Sequence, residues 1–113
     1  MANILRETVS ANGNSTAVTW ESRRKDTPNR GTAWVYGTFG GGTASLEASP
    51  DGGTTWVAIP DQSGTAITFT ADGVVNFELY ADQNPIKASK TKLRISLAGA
   101  TTPTLNYVIN NAN

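Results

Sequence analysis

The stretch TKLRISLAG at residues 91–99 decides the fold class, because apolar and polar side chains alternate along it. Leu93, Ile95 and Leu97 fall on one side of an extended chain, while lysine, arginine and serine fall on the other. A period of two residues indicates a β-strand with one face on a core and one face toward water. The stretch therefore predicts a half-buried strand of an antiparallel sheet.

The same alternation recurs along the chain, and clusters of Gly, Pro, Asn and Asp separate its copies roughly every 8 to 12 residues. No segment of about 11 residues or more shows the apolar period of a helix. The sequence predicts an all-β protein, an antiparallel β-sandwich of jelly-roll-like form with seven to eight short strands. The predicted strands are 16–20, 32–39, 43–49, 65–71, 73–81, 91–99 and 104–110, with a further short strand after the turn at 50–53.

The length of 113 residues predicts one domain with one core. Residues 1–15 combine a short apolar start with the polar run SANGNS, which predicts an N-terminal arm or an edge strand. Residues 16–113 are expected to form the sandwich. The sequence contains no cysteine and no histidine, so disulfides and a Cys/His zinc site are excluded. Small domains without such cross-links often gain stability by oligomerisation.

Composition also excludes several classes of function. The absence of histidine removes the usual general base at neutral pH and every His-based triad. The nine acidic residues are scattered and lie mostly in turns, so no glycosidase pair and no calcium loop is predicted. A formal net charge of zero argues against nucleic-acid binding by bulk charge, and no apolar run approaches the roughly 20 residues of a membrane span. We expect no enzyme, no catalytic residue, no cofactor and no metal.

The segment SPDGGTTW at 49–56 resembles the Asp-box, a short hairpin motif known from sialidases and other β-propellers. A propeller needs several blades of roughly 40–50 residues each, which this chain cannot supply. The motif predicts a structural turn in which Asp51 accepts backbone hydrogen bonds, Gly53 adopts a conformation that a Cβ would resist, and Trp56 covers the turn. Because Asp-boxes lie away from catalytic centres in the enzymes that carry them, the resemblance implies no catalytic residue.

Two groups of basic residues stand out. The segment ESRRKDTPNRG at 21–31 is the most charged part of the chain and is predicted to be an exposed loop. It is either solvated or in contact with an acidic surface or phosphate, and Trp20 beside it favours an interface. The second group, Lys87, Lys90, Lys92 and Arg94, is predicted to be solvated or to protect a sheet edge rather than to bind a partner.

A longer passage carries a family resemblance. The segments VYGTFGGGTASLEASPDGGTTWVAIP, FTADGVVNFELYA and TKLRISLAGATTPTLNYVI, within residues 35–109, resemble small β-sandwich proteins of tailed bacteriophage virions. The resemblance implies a capsid decoration (cement) protein. Such a protein binds the outer surface of the phage head as a homodimer or homotrimer and staples major capsid subunits against the pressure of packaged DNA. It would be made in the bacterial cytoplasm and reside on the virion.

This resemblance suggests where contacts with the capsid or with another copy would lie. The expected residues are those of the N-terminal segment and the aromatic and basic residues that follow it, namely Ile4, Leu5, Val9, Trp20, Arg23, Arg24 and Trp34. The alternative function is a tail, head-fibre or adhesin-like module that contacts host-surface glycans or proteins. For that alternative, the sugar-stacking platform would come from exposed aromatic residues, namely Trp34, Tyr36, Trp56 or Tyr80.

Overall fold

The computed structural model describes residues 2–20, 29–79 and 91–111, apart from the side chains of residues 2–4, 29 and 111. Over these residues the chain forms strands and turns without a helix, as predicted. The strands of the described part are β1 (Ala2–Val9), β2 (Gly13–Asn14), β3 (Val18–Thr19), β4 (Asn29–Thr38), β5 (Thr43–Ser49), β6 (Val57–Ala58), β7 (Thr68–Phe69), β8 (Gly73–Leu79), β9 (Lys92–Ala98) and β10 (Thr104–Asn111).

The strands form two antiparallel sheets that pack together as a sandwich, which confirms the predicted fold class. The four-stranded sheet has the order β1-β10-β4-β8. The six-stranded sheet runs β2-β9-β5-β6, with β3 also paired to β9 and β7 also paired to β5. Jelly-roll connectivity stays a prediction. The described strands outnumber the predicted seven to eight by the two strands of residues 1–15, namely β1, which the sequence left open as an arm or edge strand, and the two-residue β2.

The core lies between the sheets and follows the alternation seen in the sequence. Leu93, Ile95 and Leu97 of β9 are buried, as is Phe77 of β8. The core also takes apolar side chains from the neighbouring strands and from the turn region after β6, namely Ala33, Val35, Phe39, Ala44, Leu46, Ala48, Ile59, Ile67, Phe69, Leu105, Tyr107 and Ile109. Both sheets therefore contribute one apolar face, and each keeps a second face outside the core.

The N-terminal segment is built into the sandwich as the edge strand β1. It pairs with β10 from Ala2 opposite Asn111 to Val9 opposite Leu105. Leu5 is only 6% exposed within the core, and Val9 packs against the core. The expectation that Leu5 and Val9 anchor a free arm to a partner is wrong for this fold, because their side chains are used for internal packing. Ile4 lies in β1, but its side chain is outside the described part.

Trp20 is a core residue and not the surface anchor that its charged neighbours suggested. Its side chain is 0% exposed, and its Nε1–H donates to the carbonyl of Leu79 at 3.2 Å. The ring lies 5.3 Å from the ring of Phe77, centroid to centroid. Gly31 provides the space, because a Cβ at this position would lie 2.6 Å from atoms of both aromatic rings. The prediction that Trp20 contacts a partner is therefore wrong.

Candidate functional site

The outer face of the four-stranded sheet carries a row of side chains that crosses all its strands. The strand register places Arg6 of β1 opposite Val108 of β10, Val108 opposite Trp34 of β4, and Trp34 opposite Val74 of β8. Residues directly opposite each other on neighbouring strands share a face and are in contact distance. We call this surface the outer face and define it by Arg6, Trp34, Tyr36, Val74 and Val108.

The alternation of β4 explains why two aromatic side chains point away from the core. Ala33 and Val35 are fully buried, so Trp34 and Tyr36 project to the opposite side of the sheet. Trp34 is 45% exposed, which keeps it as a candidate contact residue, and Tyr36 is 41% exposed. The folded chain thus leaves two large aromatic side chains uncovered on one strand.

Val74 extends the apolar surface onto β8. It is 50% exposed, although outward positions of a half-buried strand normally carry polar side chains. Val108, at the middle of the row, is buried. Trp34 and Val74 are thus the exposed members of an apolar strip whose middle residue, Val108, is buried, and exposed apolar surface of this kind marks interaction sites.

Charged groups lie at the two ends of this strip. Arg6, on β1, and Asp72, just before β8, both line a shallow depression of about 640 Å³ over the outer face. Arg6 makes no ion pair with any residue that the structure describes. Asp72 accepts a hydrogen bond through Oδ1 from the backbone N–H of Gly37 at 2.9 Å, which fixes the position of its carboxylate. The face is therefore positive at one edge strand and negative at the other.

Polar side chains border the strip on both sides. Thr32 donates through Oγ1 to Asn76 Oδ1 at 2.8 Å, and Thr8 donates through Oγ1 to Asn106 Oδ1 at 2.8 Å. These pairs connect neighbouring strands across the face. Asn110, which also lines the depression, has a buried Oδ1 with no hydrogen-bond partner among the described residues. A buried acceptor without a partner is uncommon in folded proteins, and a partner's N–H or O–H would satisfy it.

The Asp-box-like hairpin, between β5 and β6, is held by its own hydrogen bonds. Asp51 Oδ1 accepts from the Ser49 hydroxyl at 2.7 Å and from the backbone N–H groups of Thr54 and Thr55 at 3.1 and 2.8 Å. These bonds, above all the one from Thr55 and then that from Ser49, lower the pKa of Asp51 to about 2. Ser49 Oγ in turn accepts from the Gly53 N–H at 2.8 Å. These are the turn contacts that the sequence pattern predicts.

Trp56 closes the hairpin and is already in contact with neighbouring groups. Its Nε1–H donates to the carbonyl of Gly53 at 3.0 Å, and the Arg94 guanidinium carbon lies 4.1 Å from its ring centroid. Arg94 also pairs with Glu47, Nε to Oε1, at 2.7 Å. Trp56 is therefore a poorer sugar-stacking surface than Trp34. The expected edge-protecting role of Lys92 and Arg94 is wrong, because β9 has neighbouring strands on both sides.

Two further groups with shifted pKa values have structural explanations. Hydrogen bonds from the Ser63 hydroxyl and the Thr65 backbone N–H lower the pKa of Asp61. Burial, followed by the negative charge of Glu7, raises the pKa of Tyr107 to about 12. The Tyr107 hydroxyl is buried without a partner in the described part of the chain, on the core side of its strand. Neither group lies on the outer face.

The described residues contain no cluster of three or more Asp, Glu, His or Cys side chains placed to hold a metal ion. Within the same described residues, no helix has the length and apolar character needed to cross a membrane. Arg23, Arg24 and Tyr80 lie outside the described ranges, so their proposed contacts stay predictions.

Sequence reasoning identified Trp34 but missed most of the residues around it. The missed members of the site are Arg6, Asp72, Val74, Val108 and Asn110. One signal was present in the sequence, since Val74 and Val108 are apolar at positions where the alternation of their strands calls for polar side chains. The row itself depends on the register of strands that are far apart in the chain, and short-range patterns do not carry that information.

Comparisons with known proteins identify no relative of this chain. No protein-family model matches the sequence, and neither the curated proteins nor the solved structures yield a significant match.

Proposed function

We propose that this chain is a non-catalytic structural protein of a tailed-phage virion that decorates the outer surface of the head. The observation that supports a binding role most directly is the outer face, where Trp34, Tyr36 and Val74 stay exposed on a complete sandwich. Aromatic side chains and arginine are the residues that most often anchor protein interfaces. Arg6 lies in the same row as Trp34.

The fold suits a protein that must hold neighbouring capsid subunits together under load. The longest strands pair over most of their lengths, with β10 held between β1 and β4 in the middle of the four-stranded sheet. Such a sheet is rigid, so force applied at one surface is transmitted to another. Two or more linked copies would bind neighbouring capsid subunits at once and gain avidity without further contacts in each copy.

The test is binding to the heads of the phage that encodes the chain. We expect saturable, stoichiometric binding to expanded capsids that lack the protein and no binding to the unassembled coat subunit. Decorated heads should also retain packaged DNA at temperatures at which undecorated heads release it. Failure to bind expanded capsids, or equal binding to the free coat subunit, would refute a decoration role.

A second candidate function is recognition of host-surface glycans. Trp34 and Tyr36 are two residues apart on one strand face, and the residue Asn110 lines the same depression. Aromatic rings stack on sugars, and an amide oxygen accepts from sugar hydroxyls. A glycan array probed with the wild-type chain and with Trp34→Ala tests this function. Binding that the substitution abolishes would favour it over decoration.

A further inference from the structure

We propose that the occupant of the outer face is a second copy of this chain, bound through a two-fold, face-to-face contact of the two four-stranded sheets. This inference rests on the proposed binding role of the outer face and names its partner. A two-fold contact uses the same patch on both copies, so the patch must be complementary to itself. The outer face meets that condition in its charges, because it carries a base at one edge and an acid at the other.

The charges of the outer face select one way to pair two copies. Arg6 lies on the edge strand β1, and Asp72 lies beside the opposite edge strand β8. An axis parallel to the strands, between β10 and β4, places β1 of each copy over β8 of the other. Arg6 then lies over the partner's Val74, which is in the same row, and its long side chain extends toward the partner's Asp72 two residues before Val74, which gives two opposite-charge contacts for each dimer. An axis perpendicular to the strands would instead place Arg6 over its own equivalent, which like-charge repulsion disfavours.

The apolar strip fits the same arrangement. With the axis between β10 and β4, Val108 of one copy faces Trp34 of the other, because the two residues are directly opposite in the register. Each exposed indole then lies over the position of the partner's largely buried Val108 at the centre of the interface, where binding energy is concentrated. The aliphatic neighbours Val74 and Val108 favour a protein over a sugar, since sugar sites combine aromatic rings with polar groups.

The size of the face and the overall charge are compatible with association. Four strands about 4.8 Å apart and about 25 Å long present roughly 500 Å² in projection, and side-chain relief adds to this. Stable interfaces bury about 800 Å² on each partner, so the whole outer face is needed and not one corner of it. The formal net charge is zero, so two copies approach each other without net repulsion.

The first test is the molar mass of the full chain in solution, measured by sedimentation equilibrium without any capsid or glycan present. We expect a dimer for the wild-type chain and at least a roughly 30-fold weaker dimer for Trp34→Thr. Val57→Thr is the control, because Val57 is also an exposed apolar residue, 57% against 45% for Trp34, but lies on β6 of the other sheet. A monomeric wild-type chain, or equal weakening by both substitutions, would overturn the proposal.

The second test exchanges charges between copies. Arg6→Asp and Asp72→Arg should each weaken the dimer about tenfold, because each variant places like charges across the interface. An equimolar mixture should recover dimers, since the introduced acid of one variant meets the introduced base of the other at one contact and the original Arg6–Asp72 pair forms at the second contact. Only an interface between copies gives this recovery, so a mixture no tighter than the single variants would contradict the pairing.

A milder pair of substitutions protects the test against loss of folding. Asp72→Asn keeps an oxygen that accepts from the Gly37 N–H, and Arg6→Gln keeps most of the aliphatic stem. The double variant should dimerise no more weakly than either single variant, because either change already removes the ion pair. Simple additivity of the two losses would overturn the Arg6–Asp72 contact.

The capsid-decoration role and the face-to-face dimer can be refuted independently of each other. A dimer with the expected charge recovery that does not bind capsids supports this inference and removes the decoration role. A monomer that binds capsids or glycans, and loses that binding in Trp34→Thr, overturns the dimer and leaves the outer face to that other partner.

Discussion

At the scale of single residues, Asp51 shows how a conspicuous motif serves folding rather than chemistry. Its carboxylate accepts hydrogen bonds from Ser49, Thr54 and Thr55, and its pKa falls from 3.8 to about 2. Because the folded-state pKa lies below the unfolded one, the stabilisation is complete above about pH 5. It is lost as the pH falls through about 2, because the carboxylate is protonated in both states only below its folded-state pKa.

Asp51→Asn should therefore flatten the acid dependence of stability. The wild-type urea midpoint should fall between about pH 5 and about pH 2.5, and that of the variant should fall less. The variant should also be less stable at neutral pH, because an amide oxygen accepts the turn's hydrogen bonds less strongly than a carboxylate. Asp61, whose pKa is also lowered, leaves a residual slope that Asp61→Asn should remove. An unchanged pH profile in Asp51→Asn would show that the motif carboxylate does not contribute.

Gly31 is a second residue whose role depends on its surroundings. A methyl group at this position would meet the rings of Trp20 and Phe77 at 2.6 Å and the Asn110 carbonyl oxygen at 3.0 Å. We expect Gly31→Ala to lower the free energy of unfolding by about 1–3 kcal/mol through overpacking, measured by urea denaturation.

Gly73→Ala is the matched control for Gly31→Ala. Its added methyl would meet Phe69 at 3.1 Å, a distance that small ring movements relieve. The loss should therefore be clearly smaller than for Gly31→Ala. Equal losses would mean that the backbone preference of glycine, and not the packing of Trp20, sets the cost at residue 31.

At the scale of elements, β1 decides whether the N-terminus is an arm or part of the sandwich. Leu5 is buried in the core, whereas Arg6 beside it points to the outer face. Leu5→Ala should cost about 2–5 kcal/mol of unfolding free energy, as buried leucines do. Arg6→Ala should change the free energy of unfolding of the monomer by less than about 0.5 kcal/mol, measured at protein concentrations below the dimer dissociation constant. If Leu5→Ala were as stable as the wild-type chain, β1 would not be part of the core in solution.

Sequence periodicity predicts an element well where its pattern is local. The strict alternation of 91–99 identified the buried side of β9, and the same reasoning identified Phe77 on β8. It left β1 open between an arm and an edge strand and wrongly assigned Leu5 and Val9 to a partner contact, because the partner of this strand is β10, about 100 residues away. It also failed for Trp20, whose buried position depends on the space left by Gly31 on another strand. Both errors concern contacts between distant segments, which a local pattern does not encode.

The outer face also depends on contacts between distant segments, which the sequence pattern does not predict. The exposure of Trp34 follows from the buried residues on either side of it in β4, so a short segment is sufficient to predict it. Its neighbours in the row come from β1, β8 and β10, and only the register of the folded sheet brings them together. The sequence therefore predicts an exposed tryptophan but not the site to which it belongs.

At the scale of the whole molecule, the outward surfaces of the two sheets differ in how far their groups are already paired. On the six-stranded sheet, Glu47, Arg94 and Trp56 form a connected ion pair and cation–π contact. The four-stranded sheet also carries an ion pair, between Arg30 and Glu78 at 3.2 Å, but its Arg6 has no described ion-pair partner and its Trp34 is exposed. The molecule is thus one-sided, and we expect its association to bury the four-stranded sheet.

Association through the four-stranded sheet should make the stability of the chain depend on its concentration. A dimer that binds only folded chains stabilises them by mass action, so the melting temperature should rise with protein concentration. Above the dimer dissociation constant, a 100-fold increase is worth about 2.7 kcal/mol per dimer, enough to raise the melting temperature by several degrees. Scanning calorimetry between about 5 and about 500 µM should show this rise for the wild-type chain. Trp34→Thr should show a smaller rise that begins at higher concentration, whereas Val57→Thr should behave as the wild-type chain. A constant wild-type melting temperature would mean that folding and association are not coupled.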